Sequence, residues 1–71
     1  MSNAAIQAAA TEIVKRAEFV GGKERVQEIA VYGYQGQIRM ADFGFADPSA
    51  NDRFDALCAI QDEAKSVSAA W

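Results

Sequence analysis

Histidine is absent from this chain of 71 residues, and cysteine and proline occur once each. A lone Cys58 excludes an intrachain disulfide, and without imidazole there are too few ligands for a structural zinc site. The missing histidine also disfavours nucleophilic catalysis, which usually pairs a serine or cysteine with an imidazole base. No apolar run approaches the roughly 20 residues that cross a bilayer, and no cationic leader precedes an apolar segment. A cytoplasmic protein without membrane association is therefore expected. An excess of positive charge is lacking too. The net charge of -3 supplies no basic stripe for counterion release, so direct nucleic-acid binding is not expected.

A chain this short has room for one domain, spanning residues 1–71, and buries only about 60% of its unfolded surface. Such a core rarely supplies more than roughly 3 to 5 kcal/mol. With disulfides and zinc excluded, oligomerisation or a partner is the remaining means of stabilisation.

Ile6, Ala10, Ile13, Ala17 and Val20 recur at intervals of four and three, which places them on one side of an amphipathic helix. Ser2 or Asn3 can cap its start, Lys15 and Arg16 suit the negative end of its dipole, and Gly21-Gly22 supplies a stop. Arg25 to Tyr34 and Gln37 to Phe45 are richer in β-branched and aromatic residues, and the glycines of Gly33-Tyr34-Gln35-Gly36 permit a tight reversal. These segments read as a β-hairpin. Ile29, Val31, Ile38 and Met40 would share one face, and Tyr32, Arg39, Phe43 and Phe45 the other. Val26, Ile29 and Ala30 also fit helical spacing, which leaves residues 23–30 open between strand and helix.

Asp47-Pro48-Ser49 begins a second helix, with Asp47 as its cap before proline, or with Ser49 as its cap and Asp52 three residues on. Ala50, Phe54, Leu57, Cys58, Ala64 and Trp71 fall on one arc of that helix, opposite Asp52, Asp55, Asp62 and Glu63. The expected fold class is α+β: helix, antiparallel hairpin, helix, with both helices on one face of the sheet.

Chemistry-bearing motifs are few. Gly21-Gly22-Lys23-Glu24 lacks the earlier glycine and the following hydroxyl of a phosphate loop; it reads as a helix stop, and no cofactor is expected. Cys58, between Leu57 and Ile60, reads as a small core residue. The carboxylates Asp52, Asp55, Asp62 and Glu63 read as a solvated helix face, or as a phosphate mimic toward a basic protein groove, before they read as a metal site. Two helices cover one face of a two-stranded sheet, so Tyr32, Tyr34, Phe43 and Phe45, with Arg39 beside them, form either an exposed interface or an inward-turned core.

The expected function is a non-enzymatic protein-binding module. Through the aromatic hairpin face, the acidic helix face or both, it would block a larger protein or nucleoprotein partner. In size and chemistry, though in no motif, the chain resembles the small inhibitors of phages and mobile elements, anti-CRISPR proteins among them. Two alternatives stand beside this. One is a self-assembling subunit, since helix, hairpin and helix at this length resembles the head-to-tail joining proteins of tailed phages. The other is an atypical helix-turn-helix regulator, with Gly21-Gly22 as the turn.

Overall fold

The computed structural model describes residues 3–71; the cap expected at Ser2 lies outside them. α1 spans Asn3–Tyr32 and α2 spans Ala50–Ala69. A single 3-10 turn, Met40–Phe43, lies between them. Among the described residues there is no strand, so the expected hairpin and the α+β class are both overturned: the chain is a helical hairpin.

α1 is broken at Gly22, whose φ of 70° and ψ of -167° are non-helical. This combination is open essentially to glycine alone. A straight helix of this length would measure about 45 Å, whereas the longest extent of the molecule is 34 Å. The break divides α1 into a first arm, residues 3–21, and a second arm, residues 23–32. Gly21-Gly22 thus ends the first arm, as the sequence indicates, and forms the hinge from which the second arm resumes. Replacing Gly22 with alanine is expected to cost about 1 to 3 kcal/mol from backbone strain alone, because an added Cβ would meet nothing within 4 Å. Chemical denaturation of the Gly22→Ala variant measures this directly.

The second arm is helical because Val26 and Ile29 each gain complete burial, at 0% exposure. That outweighs the few tenths of a kcal/mol by which β-branched residues disfavour a helix. The arm ends at Gly33, whose N–H donates to the Ile29 carbonyl at 2.8 Å. Gln61 of α2 donates to the Ala30 carbonyl at 3.0 Å, satisfying a second acceptor that the helix end leaves without a partner.

α2 begins with the second of the two caps read from the sequence. The Ser49 hydroxyl accepts from the Asp52 N–H at 3.2 Å, and the Asp52 carboxylate accepts from the Ser49 N–H at 2.9 Å. Its buried stripe is Ala56, Ile60 and Ala64; of the expected arc, Ala64 is buried, but the stripe does not run through Phe54, Leu57 and Cys58. Phe54 is exposed and Leu57 and Cys58 are half-buried. The inward alanines, with Ala10 of α1, let the helix axes approach closely where bulkier side chains would hold them apart. Past the end of α2, Trp71 receives the Lys23 ammonium 5.2 Å from its ring centroid, a cation–π contact that ties the C-terminus to the hinge.

The connection between the helices, residues 33–49, opens with a strap, residues 33–44, that returns along the first arm. A Cβ added at its far end, on Gly44, would lie 3.2 Å from Ala5 Cβ. The 3-10 turn in the strap swings Phe43 inward to 1% exposure, making it the largest fully buried side chain.

Candidate functional site

Between the first arm and the strap lies a groove of about 570 Å³, within the roughly 300 to 1,000 Å³ of ligand-sized sites. α1 contributes Ile13 and Ala17 to its apolar floor, and the strap contributes Ile38 and Phe43. Their placement follows from helix periodicity: Ala9, Ile13, Ala17 and Gly21 recur every four residues along one side of the arm. Tyr34 forms one wall. Its ring occupies the space that a Cβ on Gly36 would need, so the glycine permits the ring to fold back over the strap.

The rim is polar and carries both signs of charge. Arg16, Arg25 and Arg39 border the groove together with Glu12 and Asp42. Arg25 crosses the hinge, where a Cβ on Gly21 would collide with its side chain, and it is ion-paired with Glu28. This is the only ion pair among the described residues, so the exposed guanidiniums of Arg16 and Arg39 have no carboxylate partner. An apolar floor beneath unpaired cations and anions suits a side chain that is itself apolar and flanked by charge.

The residues singled out from the sequence divide among several places. Tyr34, Arg39 and Phe43 meet in the groove, Phe43 as floor and not as free surface. Phe45 is half-buried and packs against the core. Tyr32, 74% exposed, ends the second arm. The four carboxylates of α2 do not act as one face. Asp52 is engaged in the cap, Glu63 accepts from Gln7 Nε2 at 2.8 Å, and Asp55 and Asp62 remain exposed. Among the described residues no group of carboxylates or thiols is gathered closely enough to hold a metal ion.

Sequence reasoning missed the contribution of α1 to the site. The signal was present in Glu12 and Arg16, which lie beside the predicted apolar stripe; Val20, expected on that stripe and so toward the core, is instead exposed and lines the groove. Phe19, 92% exposed, and Val20, 79% exposed, stand next to each other at the hinge end of the groove.

No helix among the described residues is long and apolar enough to cross a membrane. No protein-family model, curated protein or solved structure matches this chain. The phage, anti-CRISPR and inhibitor descriptions thus gain no support from any relative, and the joining-protein resemblance loses the hairpin on which it rested.

Proposed function

We propose that this protein is a non-catalytic protein-interaction domain whose recognition surface is the groove between the first arm of α1 and the strap. The observation that carries this reading is the apolar floor of Ile13, Ala17, Ile38 and Phe43 beneath the unpaired guanidiniums of Arg16 and Arg39. An apolar anchor from a partner would be desolvated on that floor, and the charged rim would orient it and discourage uncharged competitors. The acidic outer side of α2 plays the lesser part, because two of its four carboxylates are engaged within the molecule.

A helix-turn-helix reading fits less well. The chain does break and resume at Gly22, but the resumed helix exposes Glu24 and Glu28 beside Lys23, and its cations are engaged, Lys23 over the Trp71 ring and Arg25 with Glu28, which leaves little of the cationic grip that a phosphate backbone requires.

Peptide-display selection against the immobilised protein tests the proposal. Enriched peptides are expected to carry an aromatic or aliphatic anchor beside a charged residue, and to lose binding to Val20→Glu, which places a charge in the groove at an exposed position and leaves the core untouched. Failure to enrich any sequence, or equal binding by Val20→Glu, would remove the groove from the account.

A further inference from the structure

We infer that the anchor is supplied by a second copy of this chain: two protomers pair across a two-fold axis, each placing Phe19 in the groove of the other. The inference rests on the groove reading above and names its occupant.

Phe19 is more exposed than any other large apolar residue described. At 100° per residue it lies on the side of the first arm away from Ala10 and Ala17, about 60° around the helix from Arg16, which borders the groove. Its neighbour Val20 lines the groove. A protruding ring and a ring-accepting hollow thus lie side by side on one face. That is the arrangement a two-fold pair requires, since each protomer must present both the knob and the hollow in one self-complementary patch.

Charge favours the same face. A two-fold pair brings like surfaces together, so a patch of one sign repels itself. Up to residue 46 the chain is neutral, with five basic and five acidic residues, and the whole net charge of -3 falls on residues 47–71. A like-to-like contact through α2 is therefore opposed, and one through the first arm and the strap is not. The rim sharpens this, because Glu12 and Asp42 on one copy can meet the unpaired Arg16 and Arg39 of the other. Stability gives a further reason to pair. Three of the eight fully buried side chains are alanines, which leaves a thin core of the kind that oligomerisation commonly supports.

Sedimentation velocity on the full chain from micromolar to millimolar concentration tests the pairing. The wild type is expected to shift from monomer to dimer. Phe19→Ser should remain monomeric throughout, with an unchanged circular dichroism spectrum because the ring has almost no intramolecular contact to lose, and Phe54→Ser, altered on α2, should dimerise as the wild type does. A wild type monomeric at the highest concentration, or dimerisation abolished by Phe54→Ser and retained by Phe19→Ser, would overturn the inference. The groove reading is checked separately by peptide selection on Phe19→Ser, whose groove no second copy fills. Selected peptides with no wild-type dimer would end the pairing alone, whereas failure of both would end both.

Discussion

Replacing Phe43 with alanine is expected to remove about 3 to 5 kcal/mol of stability, the usual cost of deleting a buried aromatic ring. A core of this size rarely supplies more than that in total, so the variant should lack a cooperative unfolding transition at room temperature. Phe43→Leu, which keeps an apolar plug, should retain one at a lower midpoint. The expectation follows from the 3-10 turn at Met40–Phe43, which places the ring at 1% exposure beneath the strap. Phe43 also forms part of the groove floor, so losing it would remove fold and recognition surface together. Urea denaturation followed by circular dichroism gives the answer, and a Phe43→Ala variant with the wild-type midpoint would place the ring outside the core.

Ile60→Ala is the second large effect, expected at about 2 to 5 kcal/mol. Ile60 is at 0% exposure on the stripe that α2 turns toward α1. Leu57→Ala, on the half-buried flank of the same helix, should cost roughly 1 kcal/mol, the ordinary size of a single substitution. The order of the two midpoints reports the rotation of α2 about its axis. A larger loss at Leu57 than at Ile60 would mean that the helix faces the core through Phe54, Leu57 and Cys58.

The elements legible in the sequence were those whose signals are local. The spacing of Ile6, Ala10, Ile13, Ala17 and Val20 marks the first arm; the first four pack in or against the core, whereas Val20, beside the break at Gly22, is exposed. Ser49 with Asp52 marks the start of α2, where the reciprocal cap forms. The hairpin was misread because β-branched and aromatic composition is a weak preference, worth about 1 kcal/mol across its whole scale and dependent on surroundings. Whether Val26 and Ile29 lie in a strand or a helix is decided by the surface available to bury them, and that surface is α2, some thirty residues further on. Alternation misled again at Phe43 and Phe45. Two residues apart, they would share a face of a strand, but the 3-10 turn and the left-handed Gly44, with φ at 90°, turn one fully inward and leave the other half-buried.

The rotation of α2 was obscured for a related reason. Reading the bulky Phe54 and Leu57 as core neglects how closely two helices can approach through alanine; Ala64 lay on the expected arc, but Ala56, equally buried, did not. The site followed the same pattern. Tyr34, Arg39 and Phe43, singled out from the sequence, line the proposed groove, but the arm that completes it could be placed only once the strap was known to return along it.

The groove exists only if residues 23–45 form a helix and a returning strap. Backbone assignment with nuclear Overhauser measurements on the full chain tests this directly. Helical shifts are predicted through residues 23–32, with contacts from the Phe43 ring to methyl groups of α1. Cross-strand contacts between residues 29–32 and 38–41 would contradict it, restoring the hairpin and removing the groove.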